Sequence, residues 1–193
     1  MKSTVNLSSS TCLRDHFLLA MPSIDSGIFS GSIAYICEHG EAGAMGIVLN
    51  QRLDLNLHEI FEHLEITTAQ SFKDQPVLAG GPVQVDHGFV LHPSGEEDWD
   101  ATLRVTEDTH LTTSQDVLKA IASGAGPEAF VIALGYAGWS AGQLEEEIAG
   151  NSWLTLPANP QVLFDTPVER RVSAAASVLG IDMNLLSSEA GHA

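Results

Sequence analysis

FSGSIAYICEHGEAGAMGIVLN, residues 29–50, is the stretch whose reading decides the fold. Ser32 to Cys37 (SIAYIC) and Ala44 to Leu49 (AMGIVL) are short apolar runs of strand-favouring residues, separated by a glycine-containing loop, Glu38 to Gly43. The pattern predicts a β-hairpin, and so two antiparallel strands near the start of the chain. Upstream, Phe17 to Met21 is strand-like and stopped by Pro22. Downstream the period changes. Leu57, Ile60, Phe61 and Leu64 recur at three- and four-residue spacing, and Asn56 with Glu59 has the form of a capping box, which predicts a short amphipathic helix.

Beyond that helix, strands and helices alternate irregularly. Gln75 to Ala79 and Gly88 to His92 (GFVLH) are strand-like and lie either side of the turn Gly80-Gly81-Pro82, and Leu103 to Thr106 is a candidate edge strand. Thr113 is placed to cap a second helix through Val117, Leu118 and Ile121 that Gly124 ends. Ala129 to Tyr136 (AFVIALGY) is the most continuously apolar segment and suits a buried central strand. Ser140 with Gln143 again has the capping-box form and opens a helix through Leu144 and Ile148, after which Trp153 to Leu156 returns to strand. Asn159-Pro160 and Thr166-Pro167 mark two further helix starts, with the last helix ending near Gly180. This order predicts an α+β fold with a mixed or largely antiparallel sheet and flanking helices, not a doubly wound parallel sheet.

A chain of 193 residues is long enough for one domain with its own apolar core. The expected organisation is a mobile leader over residues 1–14, a single domain over 15–186 and a loose tail over 187–193. Eight Lys and Arg stand against twenty-five Asp and Glu, for a formal charge of −17, and protonating every histidine would leave the chain acidic. Phosphate backbones are bound largely through cationic side chains that release counterions, so direct nucleic-acid binding is not expected, and anionic membrane surfaces are disfavoured in the same way. The nearest approach to a basic cluster is Arg170-Arg171, read as solvated helix charge. No apolar run approaches the ~20 residues that span a bilayer, and the first thirty residues lack the pattern of a signal peptide. The expected location is the cytoplasm, with Cys12 and Cys37 as reduced thiols.

Three blocks carry a resemblance to a known family. They are Phe29 to Asn50, with its His39, Gly43, Gly46 and Asn50 spacing; Gly80-Gly81-Pro82-Val83 followed by Gly88 to His92; and LGYAGWSAGQLEEEIAGNSWL, residues 134–154. Together with Phe164 to Asp182, they make the chain similar to the YqgE/AlgH family over about residues 15–186. Gly40 stands where members usually have Asn, Arg52-Leu53 where a Pro is usual, and Val172 where a large aromatic is usual. The resemblance implies a sheet curling into a pseudo-barrel. It implies no common activity, and one branch is named as a regulator of alginate synthesis genes, a role that the charge of this chain would make indirect.

Gly138-Trp139-Ser140-Ala141-Gly142 reads G-x-S-x-G, the pattern of a nucleophile elbow, but the only histidine after Ser140 is His192, next to the last residue. Ser140 is better read as a helix cap. Cys37 and His39 lie two apart on a strand, which would put them on one face and let the imidazole activate the thiol, so Cys37 is the candidate reactive cysteine of an enzyme or redox sensor. The competing reading is an inert core cysteine. No H-E-x-x-H or Cys-x-x-Cys suggests a metal, no Gly-rich loop is followed by a phosphate-binding lysine, and no cofactor is implied. If a ligand site exists, the signature blocks place it at Trp139, Gln143 and Glu145, with His39, Asn50 and His92 contributing. The expected partner is another protein or a small ligand, bound without a catalytic set.

Overall fold

The structure is a computed structural model that describes residues 12–25 and 27–181. Its strands are β1 (His16–Ala20), β2 (Ile33–Gly40), β3 (Gly43–Val48), β4 (Arg52–Asn56), β5 (Pro76–Ala79), β6 (Val83–Pro93), β7 (Thr102–Arg104), β8 (Thr109–Thr112), β9 (Val131–Ser140) and β10 (Trp153–Pro157). Among the described residues four α-helices accompany them: α1 (Leu57–His63), α2 (Gln115–Ser123), α3 (Gln143–Ala149) and α4 (Arg171–Val178). The strands form one curled sheet in the order β10-β1-β2-β3-β9-β6-β8-β7. All its pairings are antiparallel except that of β5 with β9. The fold is therefore α+β with a mixed, largely antiparallel sheet, as the irregular order of elements predicts.

The centre of the architecture is β9, where the sheet forks. One edge pairs first with β5, Val77↔Ile132 through Ala79↔Leu134, and then with β3, Gly46↔Ala137 through Gly43↔Ser140. Gly80 bridges the two branches: its N–H donates to the Leu134 carbonyl at 2.8 Å and its carbonyl accepts from the Val48 N–H at 2.8 Å. The chain can make this junction only without side chains. Gly135 has φ 73°, and a Cβ on Gly81 would collide with the Tyr136 carbonyl.

Alternation along the strands divides the apolar residues between the two faces of the sheet. Phe17, Leu19, Ile33, Tyr35, Cys37 and Ile47 point into the concave interior, where they meet Leu91, Leu111 and Val131. Val162, Leu163, Val168, Ala175 and Ala176, from the turns before α4 and from α4 itself, add to that interior. On the convex face, Leu18, Ala34, Ile36 and Val48 pack with Leu144 of α3, and Val77, Val90 and Ile132 lie under α1 and α2.

Several local expectations change. Strands β4 and β8 lack a clear apolar run, yet β4 pairs with β5, and β8 lies between β6 and the edge strand β7. Leu13 is buried, and its N–H donates to His39 Nδ1 at 3.0 Å, so the leader does not extend to residue 14. Residues 1–11 and the expected tail lie outside the described residues. Ser114, not Thr113, stands at the start of α2. Arg171 is buried rather than solvated: its Nη1 donates to the Leu49 carbonyl at 2.7 Å and its Nε to the Thr166 carbonyl at 3.2 Å. Burial, with Arg52 nearby, lowers its pKa to about 10.

Candidate functional site

Two of the residues singled out in the third signature block, Trp139 and Gln143, do converge, but on Glu147. Glu147 Oε2 accepts the indole N–H of Trp139 at 2.9 Å and that of Trp153 at 2.7 Å, while Oε1 accepts from Gln143 Nε2 at 2.9 Å. Gln143 Oε1 in turn accepts from the Ser140 N–H and hydroxyl, at 3.0 and 3.1 Å. The two indoles lie edge to face, and Phe29 packs against both. Every polar group in this bracket is satisfied internally, so it clamps α3 to the end of β9 and to β10. Ser140 ends the strand instead of capping the helix. Gly142, with φ 78°, holds the cap position, and the Gln143 side chain supplies only half of the capping box that the sequence suggests.

His39 joins this region from the hairpin. The Leu13 N–H can only donate, so Nδ1 is the acceptor and Nε2 carries the proton donated to Glu145 Oε1 at 2.9 Å. His39, Trp139, Gln143 and Glu145 therefore lie close together. The concavity beside them, between Cys12, Glu41 and Glu145, measures about 160 Å³, small for an organic ligand.

Asn50 and His92 do not belong there. Asn50 Oδ1 accepts from the Ile33 N–H and its Nδ2 donates to the Gly31 carbonyl, each at 3.0 Å, so it latches the loop before β2. His92 is buried across the sheet, where Nδ1 donates to the Pro93 carbonyl at 2.8 Å and Nε2 accepts from the Thr112 hydroxyl at 2.9 Å. Hydroxyl, imidazole and carbonyl in a row resemble an activated nucleophile, but Thr112 is fully buried and also bonds to Thr102 at 2.7 Å, so the row braces three strands.

Cys37 and His39 are separated by a β-bulge. Ile36 pairs with Gly46 and Glu38 with Met45, leaving Cys37 as the extra residue and reversing the alternation after it. Cys37 thus faces the interior cluster, whereas His39 pairs with Ala44 of the convex cluster. Burial, with Glu38 adjacent, pushes the Cys37 thiol far above its usual range. The shared face and the low-pKa thiol expected of a reactive cysteine are both missing.

The larger concavities lie elsewhere. A cleft of about 570 Å³ opens on the convex face where α1 and α2 part over β6 and β9. Its walls include Leu55, Ile60, Leu64, Leu118, Ile132 and Leu134, and Glu59, His63, Asp86 and His87 stand among its polar residues. No sequence signal marks it, because its walls come from six elements and each apolar residue reads locally as ordinary core.

A family model described as AlgH-like, DUF179, matches residues 17–184. The chain belongs to the AlgH-like family. A UPF0301 protein of Saccharophagus degradans is 54% identical over 181 residues, 94% of this chain and 89% of that one. One from Chromohalobacter salexigens is 49% identical, covering 93% and 98% respectively. The solution structure of the AlgH protein from Pseudomonas aeruginosa superposes with a TM-score of 0.78 at 49% identity, over the full length of both chains. A crystal structure from Corynebacterium diphtheriae, at 21% identity and a TM-score of 0.72 over 91% of this chain, shares the fold. The names of these relatives state no reaction or ligand. Among the described residues of this AlgH-like chain, no helix is long and apolar enough to cross a membrane.

Proposed function

We propose that this AlgH-like protein is a small-molecule-binding protein of the cytoplasm, whose ligand is a compact apolar compound with a neutral or cationic polar end. The observation that carries this reading is the cleft between α1 and α2. It has the volume and the mixture of apolar walls and few polar groups typical of ligand pockets, whereas the Trp139 bracket has spent its polar groups internally. Glu59 and Asp86 among its lining residues, and the charge of −17, favour a neutral or cationic end over an anionic one. Any regulatory role would then be indirect, through ligand-dependent contact with another protein and not through DNA.

Titration with N-phenyl-1-naphthylamine, a neutral probe that fluoresces in apolar surroundings, tests the reading. Saturable enhancement is expected, and Ile60→Trp, which fills the cleft from a half-buried helix position, is expected to abolish it while the far-ultraviolet circular dichroism is retained. Enhancement that is absent, or equal in Ile60→Trp, refutes the cleft as a binding site.

A further inference from the structure

A second concavity, of about 580 Å³, lies beside the first, lined in part by Ala44 and Trp139 of the convex cluster. Its floor is Met45, Phe89 and Tyr136, residues that belong to or pack against the interior cluster, so it forms a mouth of the curled sheet. The opposite end of β3 lies by α4, since Arg171 reaches the Leu49 carbonyl there. Mouths of curled sheets are recurrent ligand positions because they offer apolar depth beside a polar rim.

Two local irregularities shape the bay. The bulge at Cys37 turns Glu38 to the position opposite Met45, and so onto the bay. A register break between Val83 and Gly88 releases Gln84 to His87 from pairing with β9, and Gln84 takes φ 48°. The arch thus formed presents Gln84 and His87 to the same space. The buried Phe89 ring stands edge to face with half-buried Tyr136 at 5.6 Å and with exposed His87 at 5.4 Å, so Tyr136 supplies the accessible aromatic surface beside the rim. Glu38, Gln84 and His87 are exposed, and no side-chain hydrogen bond or ion pair within the described protein engages them. This differs from the Trp139 bracket, where each polar atom is taken.

We infer that this mouth is a binding site for a planar heteroaromatic group with an N–H donor edge, of the aminoazole or aminopurine kind. The ring would lie against Tyr136, with Phe89 behind it, and the donor edge would meet the Glu38 carboxylate, with the Gln84 amide able to donate or accept beside it. A carboxylate accepting from a ring N–H and an exocyclic amine makes two parallel bonds, a pairing that an anionic or purely apolar ligand cannot offer. The site is separate from the cleft between α1 and α2, with only His87 and Thr113 lining both.

The test is a titration of the ¹⁵N-labelled full chain with 2-aminobenzimidazole, and in parallel with 1-methylbenzimidazole, which has the ring but no donor edge. Expected are saturable shifts of the Glu38, Gln84, His87 and Tyr136 amides with 2-aminobenzimidazole. Loss of one charge-assisted contact should weaken binding about tenfold in Glu38→Gln, and the methylated analogue, which lacks both donors, should bind at least about tenfold more weakly. Glu38→Ala, also at an exposed position, serves as a second variant and should weaken binding at least as much. Shifts absent from the mouth, or unchanged by both Glu38 variants, would overturn the site, and equal affinity for the two compounds would overturn the donor-edge assignment. N-phenyl-1-naphthylamine, read separately in the same variants, reports the α1/α2 cleft, so the two sites stand or fall on different signals.

Discussion

Replacing Glu147 with alanine is the sharpest check on the claim that the Trp139 region is a structural bracket. The carboxylate accepts three hydrogen bonds, two of them from indole N–H groups on side chains that are 6% and 5% exposed. Truncation leaves both donors without an acceptor. Each buried donor left unpaired costs about 1–3 kcal/mol, and with water able to enter from the Gln143 side the sum is about 3 kcal/mol. In a chain of this size each kcal/mol moves the thermal midpoint by about 2–4 °C, so Tm should fall by about 6–12 °C. Glu147→Gln keeps one oxygen for the two indoles but turns an NH2 toward that of Gln143, and should cost about 1 kcal/mol. Glu145→Ala removes only the half-exposed partner of His39 and should stay within about 1 kcal/mol of the parent. Differential scanning calorimetry measures all three, with tryptophan emission reporting whether the indoles become wet. If Glu147→Ala melts within about 2 °C of the parent, the bracket contributes little stability and its polar groups would have to be explained by something they bind.

Three other outcomes follow from the geometry. In the folded chain a thiol reagent such as 5,5′-dithiobis(2-nitrobenzoate) should modify exposed Cys12 and reach Cys37 only after denaturant is added; comparable rates at both would contradict the burial that pushes the Cys37 thiol up. Gly81→Ala, whose Cβ would meet the Tyr136 carbonyl, should prevent folding to a soluble protein, while Gly40→Ala, with open space around its Cβ, should change stability by less than about 0.5 kcal/mol. A soluble, normally melting Gly81→Ala would disprove the tight fork at β9. Burial, with His110 beside it, outweighs the Pro93 carbonyl bond and holds the His92 pKa below its usual 6.5, so the unfolded chain binds more protons in the window between the two values. Stability should therefore decline as pH falls through that window, and urea midpoints that match at about pH 7.5 and about pH 5.5 would show that His92 is not buried neutral.

The α+β class was readable because the early strands each obey a period that their burial requires. Phe17 to Ala20 and Ile33 to Cys37 are buried on both faces, so the apolar runs are continuous and announce themselves. Strand β4, reading RLDLN, pairs with β5 through only two registered positions around an irregularity, and strand β8, reading THLT, buries Thr112 by bonding it to His92 and Thr102. Neither could be found from hydropathy, since a buried threonine with a hydroxyl partner looks polar in sequence.

The site was less legible for a more specific reason, which is that the strand period of two fails at the positions where the chemistry would be read. Cys37 and His39 are two apart and should share a face, but the bulge inserts one residue and sends them to opposite sides of the sheet. Gly135 does the same in β9. Val131 and Ala133 face the interior, yet Trp139, an even number of residues further on, faces the convex cluster with Ala137, while Tyr136 turns inward. A sequence reading that carries the alternation through Gly135 puts the tryptophan in the barrel and the tyrosine outside it. The same two irregularities, together with the break at Val83 to Gly88, bring Glu38, Tyr136, Gln84 and His87 to one opening. Departures from regular pairing are local events that neither hydropathy nor spacing encodes, so the features that hid these residues in the sequence are the ones that assemble the mouth in the fold.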